Sequence, residues 1–139
     1  MGVKIKVNKF TDKNDSCVAL LIGATSEEVV QLRKSLPGWL CIEAPEGWPF
    51  TKESKPTAQS FRTIIVFAGR DGEMRALNVC KYICEQNMMD GVPLLVAADR
   101  YQMSLANEVR RLPRGNFIFK PIDEAALLGR IEATQGKEL

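Results

Sequence analysis

The sequence predicts an α/β protein, a three-layer, doubly wound domain with a five-stranded parallel sheet between two layers of helices. Three observations carry this. The strand-length apolar runs are apolar at consecutive positions, as strands covered on both faces are. Segments with one-turn apolar spacing alternate with those runs, which calls for right-handed crossovers between parallel strands. The chain of 139 residues is also long enough to bury one core without disulfides or metals.

The first 15 residues stand apart. Lys alternates with apolar residues from Val3 to Phe10, the pattern of an added edge strand rather than a disordered basic extension, and the polar run up to Ser16 reads as a turn. The domain proper is expected over residues 16–134, with 135–139 as a tail. Cys17–Ile22 is the first strand. A capping box of Thr25 and Glu28 then opens a helix whose inner face is Val29, Leu32 and Leu36, and Pro37-Gly38 stops it. Trp39–Ala44 is a shorter strand. From Glu46 to Phe61 prolines, a glycine and the aromatics Trp48 and Phe50 break any helical period, so the second helix is reduced or replaced by a loop over residues 45–62.

Thr63–Phe67 is the next strand. A helix with Ala76, Val79, Cys80 and Ile83 on one face follows and ends near Asp90-Gly91. Val92–Ala97 is a strand; Leu105, Val109 and Leu112 mark a helix opened by Asp99 or Ser104 and closed between Pro113 and Gly115. Asn116–Phe119 is the last strand, and Asp123 caps a final helix with Leu127, Leu128 and Ile131 inward.

Composition removes much chemistry. The chain has no histidine. That excludes Ser-His and Cys-His nucleophile pairs, imidazole general bases and H-E-x-x-H metal sites. A net charge of +2 gives no argument for a nucleic-acid or membrane partner. Cys17, Cys41, Cys80 and Cys84 lie in apolar runs, as buried thiols of a reducing compartment do. Cys80 and Cys84 share a helix face, but no second pair has ligand spacing, so neither a zinc site nor another metal or cofactor is expected. The N-terminus has no apolar core of a signal peptide, and a cytoplasmic location is expected.

From Thr63 onward the chain resembles the second half of a response-regulator receiver domain. Ile64-Ile65-Val66-Phe67, a short loop and the helix around Leu77-Asn78-Val79-Cys80 resemble the family's third strand, acceptor loop and third helix. Gly91–Ala98 resembles its fourth strand. The most specific match is Gly115–Ile122, which is similar to the family's fifth strand ending in Lys120-Pro121, before a helix opening Asp123-Glu124-Ala125. The resemblance implies a flavodoxin-like, receiver-type sheet.

It also implies where phosphorylation chemistry would sit. The family uses an Asp after the third strand, acids after the first strand for magnesium, a Ser or Thr ending the fourth strand, and a Lys. Here the acceptor position holds Ala68, the acid positions fall in Gly23-Ala24-Thr25, and the hydroxyl position holds Ala98. Lys120 and Pro121 are retained, and Phe117 stands at the place of the family's aromatic switch. A methyl group cannot accept phosphate, and magnesium takes oxygen ligands that this pattern lacks. Asp71 and Asp99 are the acids closest to a rescuing position, each with a plainer role as turn former or helix cap.

The expectation is therefore a non-enzymatic pseudo-receiver, a phosphorylation-independent signal-transduction module that binds a protein partner or itself. In the family, partners dock on the fourth helix, fifth strand and fifth helix. Here that surface would include Arg100, Tyr101, Met103, Asn107, Arg110, Arg111 and Arg114, types enriched in interfaces. Trp48-Pro49-Phe50 is expected to pack back on the sheet. The alternative is a flavodoxin-like domain binding a nucleotide or phosphate at the Gly23–Ser26 turn, through a helix N-terminus. Nucleic-acid binding by the arginines is disfavoured by the acids Asp99, Glu108, Asp123, Glu124 and Glu132 in or beside that segment and in the adjoining last helix.

Overall fold

The computed structural model describes residues 17–50, 61–69 and 72–137. In chain order these form β1 (Val18–Ile22), α1 (Ser26–Ser35), β2 (Leu40–Glu43), β3 (Thr63–Phe67), α2 (Glu73–Glu85), β4 (Leu94–Ala98), α3 (Met103–Arg110), β5 (Gly115–Phe119) and α4 (Glu124–Lys137). The strands make one parallel sheet in the order β2-β1-β3-β4-β5. Residues 1–16, which include the expected edge strand at 3–10, residues 51–60, Arg70, Asp71 and the last two residues lie outside the described residues.

Strand alternation sorts the core into two layers. Leu20, Ile64, Val66, Leu94 and Val96 point toward α2 and α3, where they meet Ala76, Val79, Cys80, Ile83, Leu105 and Val109. Ala19, Leu21, Ile65, Phe67, Leu95, Ala97 and Ile118 point the other way, against Val29 and Leu32 of α1 and Leu127 and Ile131 of α4. Every residue of β3 and β4 is buried. This two-sided burial is why their sequences are apolar without a break.

Local chemistry places the helices. Thr25 Oγ1 accepts the Glu28 N–H at 3.1 Å and Glu28 Oε1 accepts the Thr25 N–H at 2.8 Å, the reciprocal capping box expected of α1. Asp123 Oδ1 accepts the Ala126 N–H at 2.8 Å at the start of α4. The outer edge of β2 is partly closed by Arg33, which donates to the Cys41 carbonyl at 2.9 Å. Residues 45–50 are turns, with Trp48 buried and Phe50 half exposed against Tyr82 at 4.8 Å between ring centroids. Trp48 thus packs back as expected and Phe50 does not.

Three expectations are corrected. α2 ends at Glu85, five residues before Asp90, because Asn87 and Met89 take left-handed φ values of 53° and 48° that a helix cannot contain. α3 is opened by neither Asp99 nor Ser104 but by Gln102, after a turn closed from the Gln102 N–H to the Asp99 carbonyl at 2.9 Å. Arg114 is not on the surface. It is 5% exposed, and its guanidinium donates to the carbonyls of Met88 and Met89, to Val92 at 2.9 Å and to Ile83 at 3.5 Å. Ile83 and Met89 among them also accept the Met88 and Val92 N–H groups, so the fixed cation adds a second bond there and complements the dipole at the end of α2.

Two glycines give opposite expected outcomes. A Cβ on Gly115 would meet the Val109 carbonyl at 2.4 Å and Leu112 at 3.0 Å, whereas on Gly129 it would meet nothing within 4 Å. Gly115→Ala is expected to lower the free energy of unfolding by roughly 1–3 kcal/mol, and Gly129→Ala to raise it by roughly 0.5–1 kcal/mol. Urea unfolding of the two variants checks both signs.

Candidate functional site

Ligands of open parallel sheets bind beyond the carboxyl ends of the strands, and here four βα connections meet at that edge. Gly23, at φ +76°, turns the chain out of β1 into the α1 cap; a side chain there would be strained. β5 ends at Phe119, so Lys120 is aimed across the edge toward α1, with its backbone N–H bonded to the Ala98 carbonyl at 3.0 Å. A cleft of about 380 Å³ opens there, lined among others by Glu28, Phe67, Asp99, Lys120 and Pro121.

The dominant contact in the cleft is an ion pair. Lys120 Nζ lies 2.9 Å from Glu28 Oε2 and 3.9 Å from Asp99 Oδ2. The sequence pattern assigns Glu28 to the helix cap alone. That role uses only Oε1, and the second oxygen takes the ammonium. Partial burial pushes the Glu28 carboxyl up, but the Thr25 N–H and the Lys120 ammonium outweigh it and hold it below the usual 4.5.

The two positions that the sequence resemblance matches to phosphoryl chemistry are apolar. Ala98 is fully buried at the end of β4. Ala68 follows β3, is fully buried, and packs in the layer on the α2 side. The β3 residue that lines the cleft beside Lys120 is Phe67, one position earlier. Neither offers an oxygen. Receiver-type folds imply magnesium, and the residues present do not fit it: of the acids that line the cleft, Glu28 and Asp99 lie 2.9 and 3.9 Å from the Lys120 ammonium. Among the described residues no group of three His, Cys, Asp or Glu side chains could hold a metal ion. Asp99 does turn toward Lys120, while Asp71 lies outside the described residues.

The remaining expected site residues fall in two places. Phe117 is buried under Arg130, whose guanidinium carbon sits 4.2 Å from the ring centroid. Arg100, Tyr101, Met103, Asn107, Arg110 and Arg111 are all exposed on or beside α3, Tyr101 by 68% and Met103 by 48%. Met103 is thus a surface residue and not core. Arg100 lies over the Phe119 ring at 5.0 Å, which joins this face to β5. Arg111 pairs with Glu108 at 3.3 Å in the open, a contact of little energetic weight.

A residue the sequence pattern did not single out links the loops. Gln102 is 2% exposed; its Oε1 accepts the Asp99 N–H at 2.8 Å and its Nε2 reaches the Gly69 carbonyl at 3.4 Å. A Gln before a helix has no distinctive signal in one sequence. Only its depth in the fold marks it.

No protein-family model matches the chain, and no curated protein matches it. Solved structures do. A response regulator receiver protein from Pseudoalteromonas atlantica superposes with a TM-score of 0.63 at 16% identity, over 86% of this chain and 97% of that one. The receiver domain of a signal transduction histidine kinase from Syntrophus aciditrophicus gives 0.57 at 15% identity, over 87% and 91%. The fold is that of a receiver domain. A structure described as adenylate cyclase from Rhodopirellula baltica is similar too, with a TM-score of 0.60 at 18% identity, over 88% and 90%. In this receiver-type sheet α3 stands where the family has its fourth helix.

Two outcomes follow from the titratable groups. Because the folded pKa of Glu28 is depressed, its contribution to stability is full above about 4.5 and is lost as pH falls through the folded value. Glu28→Gln should therefore be less stable than the parent at pH 7, with the difference shrinking in urea titrations as pH falls below 4.5. The Cys80 thiol is pushed up to about 12, mainly by burial and further by Cys84, against a lowering by Arg114. Iodoacetamide at pH 8 should leave Cys80 unmodified in the folded protein and modify it after denaturation, as peptide mapping would report.

Proposed function

We propose that the protein is a pseudo-receiver, a signal-transduction module that binds a protein partner, or a second copy of itself, without being phosphorylated. The observation that carries this is the state of Lys120. The cation that would neutralise a phosphoryl group is already neutralised by Glu28 at 2.9 Å, beside Phe67, with Ala68 turned into the opposite layer. No enzymatic step is assigned to the chain. The partner surface is the exposed face of α3 with its cation-on-ring contact to β5, formed by Arg100, Tyr101, Met103, Asn107, Arg110 and Arg111. Tyr, Met and Arg are side-chain types enriched where protein surfaces meet. A cytoplasmic setting suits four cysteines of which none is joined in a disulfide. No described helix is long and apolar enough to cross a membrane.

Small-ligand binding at Gly23–Ser26 has less support. The Thr25 hydroxyl and the Thr25 and Glu28 N–H groups, which would cradle a phosphate, are consumed by the capping box.

Incubation with acetyl phosphate and magnesium should leave the intact mass unchanged. A phosphoryl adduct, mapped to Asp99, Asp71 or elsewhere, would sink the proposal. Tyr101→Ala should weaken self-association in sedimentation experiments, or binding to a purified partner, about tenfold or more. Equal association by parent and variant would remove α3 as the docking face.

A further inference from the structure

The four connections at the carboxyl edge of the sheet are joined by one run of contacts. Glu28 Oε1 holds the Thr25 N–H at 2.8 Å and its Oε2 holds Lys120 at 2.9 Å, tying the β1–α1 turn to the end of β5. Lys120 Nζ stands 3.9 Å from Asp99 Oδ2, which brings in the β4–α3 turn. The Asp99 N–H is held at 2.8 Å by Gln102, whose amide also reaches Gly69 after β3 at 3.4 Å.

Gln102 is both the link between Asp99 and Gly69 in this run and the residue that opens α3. Its side chain is buried and bonded at both ends, so the Asp99 turn cannot shift without moving it. The Lys120 and Glu28 side chains are each only 23% exposed, so their attraction is screened less than that of a surface pair. With Glu28 neutral, Lys120 would keep Asp99 as its one acid among the described residues and draw that turn toward β5.

We propose that this run is a clasp that couples the start of α1 to the start of α3 and holds the α3 face in one conformation with no phosphoryl group present. It rests on α3 being the docking face. The clasp makes Glu28 and Gln102 positioning residues for a surface that neither of them touches.

The test is a double-mutant cycle read by amide hydrogen exchange in the full chain. Glu28→Gln keeps the shape of the side chain and its oxygen toward Thr25 while removing the charge. Lys120→Met removes the other partner and keeps the stem. Each single variant should speed exchange at Leu105, Ala106 and Val109 by about fivefold, the low end of coupling between sites. The double variant should do no more than either single one. Ile65 and Leu95, deep in the sheet, report global opening; their rates should rise only by the loss of global stability, and by less than those of α3.

The clasp is overturned if the α3 amides keep the parent rates, or if the two single effects simply add. Should one variant fail to fold, the other alone carries the same comparison between α3 and the sheet. The two proposals fail separately. A phosphoryl adduct would defeat the pseudo-receiver assignment and leave the cycle standing, whereas an additive cycle would defeat the clasp and leave the docking face standing.

Discussion

A half-buried lysine that follows a strand at the carboxyl edge of a sheet must find negative charge or water, and here it finds the second oxygen of a helix-capping glutamate. The pairing of Lys120 with Glu28 settles the rest of the edge. It fixes how β5 approaches α1, leaves Asp99 as an outer counter-charge at 3.9 Å, and occupies the cation that phosphoryl chemistry would use. Partial burial makes the contact stronger than an exposed pair and its loss more costly, since either partner alone would leave a half-shielded charge. The sheet below needs no polar help. β3 and β4 are buried throughout, and alternation delivers one set of side chains to α1 and α4 and the other to α2 and α3.

Much of this fold was legible because burial on both faces leaves an unmistakable trace. β3 was readable to the residue, and β1, β4 and β5 to within two. The inner faces of α1, α2 and α4 were readable from one-turn spacing, and the caps at Thr25 and Asp123 from their side chains. What escaped was set by tertiary contact. α2 stops early before the left-handed Asn87 and Met89, in a turn whose carbonyls Arg114, distant in sequence, gathers. α3 is opened by Gln102, whose buried amide oxygen accepts the Asp99 N–H and closes the turn before the helix.

The site was half legible. Ala68, Ala98 and an acid-free turn after β1 could be read by spacing against the family pattern, and Lys120 by its proline. Glu28 was visible but credited with one role, since a capping box accounts for only one carboxylate oxygen. The other oxygen is assigned only when β5 is brought beside α1, across a sequence separation of 92 residues. Phe67, not Ala68, proved to line the cleft, because strand alternation sends the two side chains to opposite layers. Arg114 looked like an interface arginine because its neighbours are exposed.

The central claim is that an internal carboxylate has replaced the acceptor and metal at this edge. A crystal structure grown with magnesium and beryllofluoride tests it most directly. Lys120 should remain on Glu28 with no density between Lys120, Phe67 and Asp99. A beryllofluoride group or a magnesium ion held there, with Lys120 turned away from Glu28, would contradict it.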